Sequence, residues 1–228
     1  MHTVNQTARE NDQIIISYLT LRKTVGILGM ALPLLLAAGH FLLQSNCTFP
    51  PSISHFYYTR MGNYFVGTLC AVSLFMFSYN GYDKGDKTAA KLAGIFAMMV
   101  ALFPTNFANF TSADCSRISS GDQDWVSYLH YGSATLLFLD FAWFSLFLFT
   151  QTENKEKMGR QKKIRNRIYR ICGWVILGCI VSIVLVEFVK PVQEVFKNCE
   201  PIFILEGLAL LAFGFSWLIK GETFFKDK

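Results

Sequence analysis

The sequence predicts an all-α membrane protein in which six helices cross the bilayer and both chain ends lie in the cytosol. The first observation is a set of six apolar stretches, each about the ~20 residues that a spanning helix needs. They cover residues 25–43, 62–79, 89–107, 128–150, 171–188 and 202–219. Because these stretches take up roughly half of the chain, the loops are short, and we expect a single membrane domain over residues 1–228.

The second observation is the distribution of the 21 lysines and arginines, of which seventeen fall on one side of the six stretches. The other four are Arg60, Arg117, Lys190 and Lys197. Cytosolic loops of membrane proteins are enriched in Lys and Arg, so the side with seventeen is predicted to be cytosolic. The net charge of +5 follows from this topology, so it gives no reason to expect a nucleic-acid partner.

The third stretch departs most from the pattern, because Lys91 lies near its start and Pro104 near its end. A lysine close to a helix end can extend its amine to the headgroups, and a proline near a terminus removes little backbone hydrogen bonding. Without this stretch, the loop that carries eight basic residues would lie outside the cell, against the charge bias. We therefore keep six spans.

Basic residues are concentrated just before the fifth stretch. Ile164, Ile168 and Ile171 share one helical face there, which predicts that the helix begins in the cytosol. Each basic residue near an anionic leaflet contributes about 1 kcal/mol to lipid attraction. The candidate headgroup-binding residues are Lys162, Lys163, Arg165 and Arg167. The alternative is that this charge only fixes the orientation of the chain.

Polar residues near the outer ends of the spans form a second candidate site. Residues His40, Ser54, His55, His130 and Glu206 are predicted to line an outward-facing polar pocket. The three histidines could hold zinc, which would activate water for hydrolysis. No two of them have the spacing of i, i+3 or i, i+4 that is common at zinc sites, so we expect no cofactor and keep zinc as the alternative.

Asp140 lies near the middle of the fourth stretch, where ionisable groups are costly and often functional. It could relay protons or ions, or it could be a neutral carboxyl that bonds to a neighbouring helix. Trp143, in the same stretch, has an indole N–H that needs a partner, so we expect it to face protein.

Cysteines 47, 115 and 199 all fall in predicted outer loops, where oxidation can occur. An odd number allows one disulfide and leaves one thiol. The sequence does not select among the three pairings.

Residues 50–59, PPSISHFYYT in the sequence, lead into Phe65-Val66-Gly67, and residues 100–105 follow the third stretch. Together they resemble a bacterial family of uncharacterised six-span proteins. The proline-rich Ile-Ser motif is more remotely similar to the DRAM-like family, which is linked to autophagy and lipid-anchor remodelling. The resemblance implies a bacterial inner (plasma) membrane and supplies no catalytic residues.

The sequence therefore favours an integral membrane protein that binds membrane lipids or a partner membrane protein, including a second copy of itself, without catalysis. The first alternative is a metal-assisted lipid hydrolase at the outer leaflet. The second is a proton or ion pathway through Asp140.

Overall fold

The computed structural model describes residues 2–81, 84–106, 115, 124–152, 159–196 and 199–224, with side chains from Tyr18 onward. Within these ranges the chain is helical and has no β-strand, which confirms the predicted all-α fold. The helices are α1 His2–Leu43, α2 Gly62–Ser78, α3 Lys84–Leu102, α4 Asp124–Trp143, α5 Arg160–Phe188, α6 Lys190–Val195 and α7 Pro201–Lys220. A 3₁₀ turn, Ser54–Tyr58, separates α1 from α2, and a π-turn, Phe144–Leu148, continues α4.

Four described helical segments are long and apolar enough to cross a membrane, which is the property expected of an integral membrane protein. They are Tyr18–Leu43, Asp124–Leu148, Arg160–Phe188 and Pro201–Lys220. Helix α2 is apolar but shorter. Helix α3 has sufficient length, but its charged residues Lys84, Asp86, Lys87 and Lys91 occupy the first turns.

Two helix boundaries test the sequence-based expectations. Helix α3 ends at Leu102, before Pro104, and residue 107 lies outside the described residues. Because a proline disfavours helical backbone at the residue before it, the early end has a direct cause. Helix α5 begins at Arg160, eleven residues before the apolar stretch that starts at Ile171. The basic segment is therefore continuous with the fifth apolar stretch, as the isoleucine spacing predicted.

Helix α7 packs against both α1 and α5, while α3 lies between α2 and α4. The α1–α7 contact is close because two glycines face each other. A Cβ atom at Gly26 would lie 2.7 Å from the Gly214 carbonyl oxygen, and one at Gly214 would lie 2.4 Å from Met30 Cγ. Small residues allow helix backbones to approach in membranes, so this pair sets the α1–α7 distance.

The expectation that Trp143 faces protein is wrong. Its side chain is 52% exposed and packs against Phe147, with 4.4 Å between ring centroids. The π-turn that follows Trp143 changes the helical phase, and the residues it buries are Phe144, Ser145 and Leu148. The expectation rested on the need of the indole N–H for a partner, but Trp143 is the last residue of α4, before this turn, and lies on the face opposite the buried Phe141.

Candidate functional site

Polar side chains collect at the two ends of the helical bundle. We call one the histidine end, where α1 and α5 finish and α4 and α7 begin, and the other the basic end, where α5 begins and α7 finishes. Hydrogen bonds between chain segments connect the helices at each end, for example Phe203 N–H to the Pro51 carbonyl at 3.0 Å. The candidate site residues divide between these two ends.

At the histidine end, Ser54 and His130 are hydrogen-bonded although they lie 76 residues apart in the sequence. The Ser54 Oγ is 2.8 Å from His130 Nε2, and His130 Nδ1 is 2.7 Å from the Phe103 carbonyl oxygen. Both side chains are buried, with 8% of Ser54 and 1% of His130 exposed. The 3₁₀ turn presents the serine, α4 the histidine and the end of α3 the carbonyl, so three segments meet at one imidazole ring.

His55 and Glu206 lie in the same region but bind other partners. His55 Nδ1 is 2.7 Å from Ser52 Oγ, while the Glu206 carboxylate accepts the Ile53 N–H at 2.7 Å. Burial, with a smaller contribution from the neighbouring His130, lowers the pKa of His55 to about 4. The imidazole of His55 is therefore neutral at physiological pH. We call Ser52, Ser54, His55, His130 and Glu206 the histidine cluster.

His40 does not hydrogen-bond to the histidine cluster and lies among aromatic rings instead. Its ring centroid is 5.0 Å from that of Phe49 and 6.2 Å from that of Phe56, and both rings are edge-on to it. Among the described residues, no group of three His, Cys, Asp or Glu side chains has an arrangement that could hold a metal ion. The predicted pocket thus separates into a histidine cluster and an aromatic environment around His40.

A disulfide between Cys47 and Cys115 lies at the histidine end, and Cys199 is an exposed thiol. The bond selects one of the three pairings that the sequence left open. Gln44 reinforces the connection, since its side-chain amide donates to the Cys115 carbonyl and its amide oxygen accepts from the Arg60 N–H, both at 2.9 Å.

Asp140 is partly buried in α4, away from the histidine cluster's hydrogen bonds. Its Oδ2 is buried, and no hydrogen-bond partner for it exists in the described part of the chain. The expected bond to a neighbouring helix is therefore not seen among these residues.

At the basic end, an open groove of about 880 Å³ runs along one face of α5. Its polar part holds Lys163, Arg167 and Arg170, whose side chains are exposed, and Asn166. Its apolar part is formed one to two turns later by Ile171, Trp174 and Val175. Of the four predicted headgroup residues, Lys163 and Arg167 line this groove.

The other two predicted headgroup residues, Lys162 and Arg165, belong to the opposite face of α5 and join a charge cluster inside the bundle. Arg165 is buried, and Lys162 donates to the Phe149 carbonyl at 3.4 Å. Arg22, Asp86 and Lys220 complete this cluster, and the other four residues each interact electrostatically with Lys220. We call these five residues the buried charge cluster: Arg22, Asp86, Lys162, Arg165 and Lys220.

Aromatic rings hold two of these cations in place. Arg22 is only 2% exposed, lies 4.2 Å from the Tyr18 ring centroid and donates to Tyr79 Oη at 3.2 Å. The Lys220 amine lies 5.3 Å from the Phe149 ring centroid. Cation–π contacts stabilise both cations, and Arg22 also donates to the Lys220 carbonyl at 3.5 Å.

Sequence reasoning missed several residues of both sites. Arg22 and Lys220 counted only as topology signals at the ends of spans, and Asp86 was not considered. The Phe103 carbonyl gives no sequence signal, because any residue supplies a carbonyl. Comparison with family models, with curated proteins and with solved structures finds no match for this chain.

Proposed function

We propose that this chain is a six-span membrane protein with both ends in the cytosol, and that it binds an anionic membrane lipid in the groove on α5. The observation that carries the proposal is the composition of the groove, with three exposed cations beside an apolar surface. The charge bias of the loops supports the orientation, and the resemblance to a bacterial six-span family supports a location in the bacterial inner membrane.

The dimensions of the groove suit a phospholipid. From Lys163 to Trp174 the helix rises about 16 Å, at ~1.5 Å per residue. The cations would lie at the level of the phosphates, while Ile171 and Trp174, which are 55% and 66% exposed, would contact the upper acyl chains. Tryptophan is typical of this depth, because its ring is apolar and its N–H is polar.

The buried charge cluster strengthens the attraction for an anion. Its Lys162 and Arg165 lie on the same helix as the groove. Coulomb interactions are screened less in the interior than in water, so these two cations add to the positive potential at the groove. The proposed site uses Lys163 and Arg167 of the predicted headgroup-binding residues and not the predicted outer pocket.

Native mass spectrometry of the purified full chain with phosphatidylglycerol and with phosphatidylcholine tests the proposal. We expect the wild type to retain phosphatidylglycerol more strongly. The triple substitution Lys163→Gln, Arg167→Gln and Arg170→Gln should weaken that binding on the order of 100-fold, at about 1 kcal/mol for each cation.

The matched control is Lys84→Gln, Lys87→Gln and Lys91→Gln, which removes the same charge from exposed positions on α3. These lysines are not part of the groove, so we expect binding to change by less than about fivefold, the effect of one groove cation. Equal losses in both triple variants would show non-specific attraction instead of a site. Unchanged binding in the α5 variant would exclude the groove.

A further inference from the structure

Ser54 and His130 have the arrangement of a nucleophile and its general base. A carbonyl oxygen can only accept a hydrogen bond, so the contact with Phe103 places the proton on Nδ1 of His130. In the neutral imidazole, Nε2 is then the acceptor, and the Ser54 hydroxyl donates to it at 2.8 Å. The Phe103 carbonyl thereby holds the ring in the tautomer that can remove the serine proton.

We propose that Ser54 and His130 form a hydrolytic site that acts on the carboxylic esters of membrane lipids. This activity goes beyond the lipid binding proposed for the α5 groove and lies at the opposite end of the bundle. It also departs from the sequence-based expectation of a protein without catalysis. Phe103 is a positioning residue in this proposal, since its carbonyl orients the imidazole without touching the substrate.

The reaction needs water and the ester as its only reactants. Ser54 Oγ attacks the ester carbonyl carbon while its proton moves to Nε2 of His130. The bond from that carbon to the alkoxy oxygen then breaks, and the proton passes from Nε2 to the departing alcohol. Water attacks the acyl-serine, gives a proton to Nε2, and releases the carboxylic acid as Ser54 Oγ recovers that proton.

The position of Ser54 and His130 in the bundle favours lipid esters over water-soluble esters as substrates. His130 lies in the second turn of α4, close to Trp125 and Tyr128, which are 59% and 73% exposed. Exposed Trp and Tyr side chains are typical of the membrane–water interface, the depth at which the ester linkages of phospholipids lie. The exposed apolar side chains Phe41 and Leu42 at the end of α1 border the same region.

Access to Ser54 requires movement of the 3₁₀ turn, because the serine is enclosed in this structure. The turn belongs to a connection between helices and not to a span. Hydrogen bonds from the Ile53 N–H to Glu206 and from the Tyr58 hydroxyl to the Thr105 carbonyl hold the two ends of the turn. These bonds must rearrange before a lipid ester can reach the hydroxyl.

An alkyl fluorophosphonate, which bonds covalently to activated serines, tests the proposal on the intact protein in membranes. Mass spectrometry of the labelled wild type should locate the adduct on Ser54. We expect Ser54→Ala to abolish labelling, whereas Ser133→Ala, which removes a buried hydroxyl of α4 that contacts Met99 and lies outside the histidine cluster, should retain it. His130→Gln should slow labelling on the order of 100-fold or more, the contribution of a general base.

The second readout is release of fatty acid from phosphatidylglycerol vesicles, which should rise with wild-type protein and not with Ser54→Ala. If folded wild type, judged by a single symmetric peak in gel filtration, takes up no probe, the proposal is wrong and the pair is a structural hydrogen bond. An adduct on Ser52 or elsewhere would also overturn it. The α5 variant that loses lipid binding should still be labelled at Ser54. The two proposals can therefore be refuted independently.

Discussion

At the histidine end of the bundle, serine hydroxyls pair with histidine rings, whereas at the basic end buried cations pack against aromatic rings. Ser54 bonds to His130 and Ser52 to His55, which are neutral pairs. Arg22 and Lys220 are held instead by aromatic faces, and Arg22 also donates to the Lys220 carbonyl. The neutral pairs at the first end satisfy each other within the chain, while the second end also presents exposed cations on α5, where we propose that an anion binds.

Loss of the disulfide at the histidine end should reduce the stability of the protein more than the other changes proposed below. The Cys47–Cys115 disulfide joins residues 68 positions apart, and loss of such a bond typically costs about 2–4 kcal/mol. We expect Cys115→Ser to lower the thermal unfolding midpoint in detergent. Cys199→Ser is the control, because Cys199 is an exposed thiol, and its midpoint should match the wild type. Equal effects of both substitutions would contradict the assigned pairing.

Disruption of the α1–α7 contact, which lies toward the basic end, should have the next largest effect on stability. Gly214→Ala would bring a methyl group to 2.4 Å from Met30 Cγ, so the helices must separate. Overpacking of this kind costs about 1–3 kcal/mol. Gly178→Ala is the matched control, since nothing lies within 4 Å of a Cβ there. The unfolding midpoint should fall only for Gly214→Ala, and a similar fall in the control would show a general helix effect.

Protonation of His55 should weaken the histidine end at low pH. Its pKa is lowered to about 4 in the folded protein, below the ordinary value of 6.5, so the unfolded chain binds a proton first as the pH falls. The stabilisation is present above pH 6.5 and is lost as the pH falls toward 4, by about 3 kcal/mol. We expect the unfolding midpoint of His55→Asn to change less between these two pH values than the midpoint of the wild type. Parallel curves for the two proteins would contradict the assignment.

Several features of the fold could be predicted from the sequence because they depend on local patterns. The apolar runs indicated the helices, and the spacing of Ile164 and Ile168 indicated that α5 begins before its apolar stretch. Trp143 was misplaced because the need of its indole N–H for a partner outweighed its position on α4, two residues after the buried Phe141 and therefore on the opposite face. Local patterns thus locate helices better than they decide which face of a helix is buried.

The sequence predicted which residues belong to the site but not which of them bond to each other. Ser54 and His130 were both candidates, yet their bond joins segments 76 residues apart, and such pairing depends on tertiary packing. The basic residues of α5 were recognised as a group, but basic side chains surround the helix at that point. Only the packing of α5 divides Lys163 and Arg167 in the groove from Lys162 and Arg165 inside the bundle.

We propose that the two ends of the bundle face different sides of the membrane, with the basic end in the cytosol. Labelling of intact cells by a membrane-impermeant maleimide tests this orientation, with native Cys199 at the histidine end and Lys163→Cys at the basic end. We predict that Cys199 is labelled from outside and that the cysteine at position 163 reacts only after the cells are opened. Labelling of position 163 in intact cells, with Cys199 protected, would contradict this orientation.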